Sequence, residues 1–71
     1  MKAPRLKNAT LIAREEVVPY EYVEIWKADK GFYVYWRQGE DYLVLSRGPL
    51  KSETTAQRHA KGLLLTLQRI R

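Results

Sequence analysis

The sequence predicts an α+β protein: a three-stranded antiparallel β-meander with one C-terminal α-helix packed on one face, preceded by an extended N-terminal segment. Three observations predict it. Aromatic and β-branched runs are separated by the polar, glycine-bearing turn signals Asp29-Lys30-Gly31 and Gln38-Gly39-Glu40-Asp41. Beyond Ser52 the apolar residues change from strand spacing to helix spacing. The chain has 71 residues and no cysteine, so it reads as one domain, 1–71, without a disulfide. A domain this short buries only about 60% of its unfolded surface.

Residues 1–8 carry Pro4 and mixed basic and polar side chains with no period, which predicts a flexible basic tail. Ala9 to Val18 admits two readings. Thr10-Leu11-Ile12-Ala13 fits the start of a strand, whereas Leu6, Ala9, Ile12 and Ala13 fit a short helical face. An extended segment folding over the sheet is preferred. Pro19 interrupts a ladder and biases Val18 towards an extended conformation.

The sheet is expected over 20–47, with strands at about Tyr20–Lys27, Phe32–Arg37 and Tyr42–Arg47. A three-residue turn with Gly31 in the left-handed conformation sets Ala28 opposite Phe32 and Trp26 opposite Val34. Alternation then gives one face Tyr22, Glu24, Trp26, Phe32, Val34 and Trp36. The other face carries Glu21, Val23, Ile25, Lys27, Tyr33, Tyr35 and Arg37. A slip of one residue exchanges the facing of one strand relative to the other.

The helix is expected over 52–70. Ser52 is the expected N-cap, with Glu53 beside it at the positive end of the helix dipole. Thr54 with Gln57 forms a competing capping box. Ala56, Ala60, Leu63, Leu64 and Leu67 share one face, and Arg58, Lys61, Gly62, Leu65, Gln68 and Arg69 the opposite one.

The formal charge of +5 is unevenly distributed. Residues 1–14 carry Lys2, Arg5, Lys7 and Arg14 and no acid, and residues 42–71 carry six basic groups against Glu53 alone. Residues 15–41 hold the other seven acids. Such basic ends attract nucleic acid or other polyanions through their field, and they serve equally as ordinary solubilising charge. With His59 as the one histidine and no cysteine, a His/Cys metal cage is excluded. No secretory h-region and no membrane-length apolar run are present, which predicts a cytoplasmic protein without a membrane partner.

No catalytic constellation is visible. Ser46 and Ser52 lack a G-x-S-x-G context, and no phosphate-binding glycine loop occurs. Glu15-Glu16 and Glu40-Asp41 are adjacent pairs that read as solvated surface, and His59 as a boundary residue of the helix. The expectation is a non-enzymatic protein with no cofactor, no metal and no small-molecule substrate. Tyr22, Trp26, Phe32 and Trp36 leave three readings open: core under the helix, a face covered by the N-terminal segment or a second subunit, or a stacking platform.

Two resemblances add to this. Val23 to Gly31 (VEIWKADKG), continued to Lys51-Ser52, resembles the strand-strand-strand-helix repeat of YegP-like domains. Gly31 to Arg37 (GFYVYWR), Ser46 to Ser52 (SRGPLKS) and Thr54-Thr55-Ala56 resemble the arm-site DNA-binding domain of tyrosine integrases and the related AP2 domains. Those domains lay a three-stranded sheet in the DNA major groove with a helix behind it. The resemblance implies that Tyr33 and Tyr35 face the helix while Phe32, Val34 and Trp36 face outwards. The sequence departs from it there, since the arginine and lysine of the family's reading face are replaced by Phe32, Val34 and Trp36.

The leading expectation is therefore a small binding or regulatory module, of the kind phages and mobile elements encode, contacting DNA or RNA. Arg58, Lys61 and Arg69 on the helix, with Lys51 and Arg47 before it, are the expected phosphate contacts. The rival is a protein-interaction module, a homodimer or a docked protein partner, using Tyr22, Trp26, Phe32, Trp36 and Leu65.

Overall fold

A computed structural model describes residues 6–43 and 49–70. It has β1 (Thr10–Val18), β2 (Glu21–Ala28), β3 (Gly31–Gln38), β4 (Asp41–Leu43) and α1 (Glu53–Arg69). The fold is α+β, but the sheet has four strands in the order β1-β2-β3-β4, all antiparallel, rather than three. The segment expected to fold over the sheet is its first strand. Arg14, Glu15 and Glu16 are exposed in the middle of β1, as suits an edge strand that must not recruit another chain. Pro19 ends the strand without ending the pairing. It fits the first central position of a tight turn, and Tyr20 takes the positive φ of 69° at the second.

The β2–β3 register differs from the expected one by a single residue. Ala28 pairs with Gly31, Ile25 with Val34 and Glu24 with Tyr35. The turn holds only Asp29 and Lys30, and Gly31 opens β3. Its φ is +142°, and a Cβ there would lie 2.6 Å from the Leu50 carbonyl oxygen. Glycine is therefore required for a close backbone approach and not for closing the turn. Leu50 and Phe32 exchange backbone hydrogen bonds of 3.0 and 2.8 Å, which seats the chain before α1 against the start of β3.

This slip sorts the side chains anew. Val23, Ile25 and Val34 lie under the helix and form the core with Ala56, Ala60 and Leu67. Phe32, Trp36, Leu50, Leu63 and Leu64 pack at its margin. Tyr22, Glu24, Trp26, Tyr33, Tyr35 and Arg37 point to the other side. Both the expected grouping of Phe32 and Trp36 with Tyr22 and Trp26, and the implied placement of Tyr33 and Tyr35 under the helix, are thus corrected. Small Ala56 and Ala60, 0% and 8% exposed, let α1 sit close to the sheet.

α1 is capped as expected: the Ser52 side chain accepts from the Thr55 backbone N–H at 3.2 Å. Gln57 donates to Glu53 at 3.3 Å and takes no part in a capping box. At the N-terminal side, Lys7 and Asn8 of the expected tail are tied to the β2–β3 turn. The Lys7 carbonyl accepts from Asp29 N–H at 3.1 Å, and Asn8 Nδ2 donates to both Asp29 carboxylate oxygens at 3.0 Å.

Candidate nucleic-acid interface

The two faces of the molecule differ in chemistry. On the outward side of α1, Arg58, Lys61 and Arg69 are all exposed, as is Lys51 just before it. Leu65 lies among them, 51% exposed. From Arg58 to Arg69 the stripe runs about 16 Å along the helix. Among the described residues none of these cations is in an ion pair. The acid of the helix, Glu53, lies in its first turn, away from the stripe. Gly62 is open, with nothing near the place a Cβ would take. It leaves a shallow dip between Arg58, His59, Leu63 and Thr66. Thr66 Oγ1 donates to the Gly62 carbonyl at 2.9 Å.

The sheet face turned away from α1 is aromatic with an ionic centre. Glu24 is fully buried there, at 0% exposure. Its Oε2 accepts from Arg14 Nε at 2.7 Å and Arg37 Nη1 at 3.4 Å, and its Oε1 from Trp26 Nε1 at 2.9 Å. Burial alone pushes the Glu24 carboxyl upwards. The hydrogen bonds from Trp26, Tyr42 and Arg14, with the Arg14 charge, outweigh it and hold the carboxyl below the ordinary range. The Tyr42 hydroxyl is raised by burial, by its hydrogen bond to Glu24 and by that negative charge. Around this centre the Arg14 and Arg37 guanidiniums lie 5.4 and 5.8 Å from the Tyr22 ring centroid. Tyr42 meets Tyr35 edge-on at 5.9 Å and Trp26 at 6.5 Å.

The structure thus brings Arg58, Lys61, Arg69 and Leu65 onto one surface, with Lys51 nearby. It separates Tyr22 and Trp26 from Phe32 and Trp36, which pack on the helix side. Arg47 lies outside the described residues. Sequence reasoning missed Arg14, Arg37, Tyr33, Tyr35 and Tyr42 as one constellation. The signal was Arg14 within an alternating run, readable only once β1 is taken as a strand paired with β2. Among the described residues there is no group of three or more His, Cys, Asp or Glu placed to hold a metal, and no helix long and apolar enough to cross a membrane. Comparison with protein-family models, curated proteins and solved structures found no match.

Proposed function

We propose that the chain is a small non-enzymatic, cytoplasmic binding module, of the kind phages and mobile elements encode, that contacts nucleic acid through the outward face of α1. One observation carries this reading: Arg58, Lys61 and Arg69 stand exposed on one side of a helix whose other side is committed to the core, with no acid among them. Unpaired cations on a rigid element suit phosphates, which such side chains bind without reading sequence. Lys51, exposed just before the helix, adds a further cation at that end.

Reversing charge at Arg58, Lys61 and Arg69 tests this. The variant keeps its fold, because all three are exposed, and is no longer retained on a nucleic-acid column. The salt slope of binding becomes shallower by about 0.9 for each duplex phosphate that the variant no longer neutralises. Equal retention of wild type and variant sinks the reading. Docking of a protein partner is the rival, and on this surface it would centre on Leu65. An interface of that kind resists salt, so the same titration separates the two.

A further inference from the structure

The sheet face turned away from α1 ends, beside the β2–β3 turn, in a hollow lined by Leu6, Lys7, Ala28, Asp29, Lys30 and Tyr33. Tyr33 forms one wall and lies directly opposite Trp26 in the β2–β3 register. Its ring stacks on Tyr35, 25° from parallel at 6.4 Å, so a neighbour sets its orientation. Lys7 and Lys30 line the hollow as well, and both are exposed. Lys7 is held there by the backbone bond to Asp29.

Further along the same face stand Arg14 and Arg37. Arg14 commits Nε to Glu24, while Arg37 commits Nε to the Gly39 carbonyl and Nη1 to Glu24. Among the described residues their other guanidinium nitrogens carry no hydrogen bond. They share one buried carboxylate, which leaves a surplus positive charge.

We propose that this face binds single-stranded nucleic acid. One base enters the hollow against Tyr33, the next lies on Trp26, and the phosphates are met by Lys7, Lys30, Arg14 and Arg37. The chemistry offered is flat apolar surface bordered by cations, which suits a flat ring tied to an anion. A duplex keeps its bases stacked on one another, whereas a single strand presents them to aromatic side chains. The acids facing the site are Asp29, bonded to Asn8, Glu24, shared by the arginines, and Glu16, exposed opposite Tyr22. They offset much of the positive field, so stacking carries a large share of the binding. With four phosphate contacts the salt slope is no steeper than about −3. The site lies across the sheet from α1 and goes beyond the helix-face reading.

The test is fluorescence anisotropy of a labelled oligothymidylate at low salt, with the fold of each variant checked by circular dichroism. Tyr33→Ala and Lys30→Glu each weaken binding roughly tenfold. Asp29→Asn tightens it, and the charge-reversed Arg58/Lys61/Arg69 variant binds this probe nearly as wild type. In amide spectra of the wild type, the oligomer shifts Tyr33 and Lys30 but not Leu65. That readout keeps the proposal falsifiable if a variant fails to fold. Wild-type affinity in both Tyr33→Ala and Lys30→Glu, or no binding by wild type, overturns the proposal. Weakening confined to the helix variant overturns it too and supports the α1 reading instead. Thymidine monophosphate competing as well as the oligomer would show a nucleotide pocket and overturn the strand-binding proposal. Duplex retention, measured separately, decides the helix reading independently.

Discussion

Arg14 Nε donates to Glu24 Oε2 at 2.7 Å between two residues that are direct partners in the β1–β2 ladder. The bond ties the edge strand to the centre of the sheet. It also makes the ionisation of Glu24 a matter of fold stability. The Glu24 carboxyl is held below its ordinary value of 4.5 in the folded state, so the unfolded chain binds its proton first as pH falls. Its contribution is complete above pH 4.5 and fades as pH drops through the lower folded value. Urea midpoints measured from pH 2.5 to 7 should fall more steeply on the acid side for wild type than for Glu24→Gln. At pH 7 the variant should be the less stable of the two, because both arginines lose their counter-charge. Parallel curves would show that Glu24 is not linked in this way.

Trp26 supplies a second readout of the same centre. Its indole N–H donates to a carboxylate, whereas the Trp36 indole N–H is buried with no hydrogen-bond partner among the described residues. In proton spectra the Trp26 indole signal should lie downfield of that of Trp36 and move upfield in Glu24→Gln. Two indole signals unaffected by that substitution would contradict the contact.

Leu67 and Leu65 are a paired test of the helix facing. Leu67 is 3% exposed in the core and Leu65 is 51% exposed. Leu67→Ala should cost about 2–5 kcal/mol, enough to unfold much of a domain this small. Leu65→Ala should change stability by less than about 0.5 kcal/mol. Thermal melts of the two variants, if indistinguishable, would show the facing to be wrong.

Gly31 and Gly39 make a second pair. An alanine at Gly31 must both adopt φ near +142° and displace the Leu50 carbonyl, 2.6 Å from its Cβ. At Gly39, φ is +59° and the space is open. Gly39→Ala should cost about 1 kcal/mol. Gly31→Ala should cost more, towards the upper part of the roughly 1–3 kcal/mol range for strained backbone. Chemical denaturation would rank them, and equal costs would mean that the Leu50 segment yields freely.

The helix was legible because its signals agree: Ser52 caps it, the apolar spacing faces Ala56, Ala60 and Leu67 to the core, and the cations fall on the far side. The sheet was legible in class but not in detail. Both faces of β2 and β3 are rich in apolar side chains, so the pattern carried little information on which face is inside. The register therefore rested on one turn. Reading Gly31 as a turn residue rather than a strand residue exchanged the facing of Phe32, Val34 and Trp36 with that of Tyr33 and Tyr35. The reason Gly31 is glycine lies in Leu50, a contact that no local pattern reports. β1 was obscured by the acids and the proline at its end, which belong to an exposed edge and a tight turn. The exposed cations of α1 were readable from period alone, whereas the Glu24 centre depended on strand pairing and was not.

Each strand of the meander pairs with the one just before it, so most of the sheet assembles by closing short loops, at small entropic cost. The Phe32–Leu50 bridge is different: it joins β3 to the segment leading into α1 and closes over everything between them. That ordering places the bridge late on the folding route, after the hairpins have formed. Leu50→Pro, which removes the backbone N–H that donates to the Phe32 carbonyl, should then speed unfolding and leave the refolding rate nearly unchanged. The contact that forces glycine at position 31 would thus act as a latch on the lifetime of the folded state and not on the speed with which that state is reached.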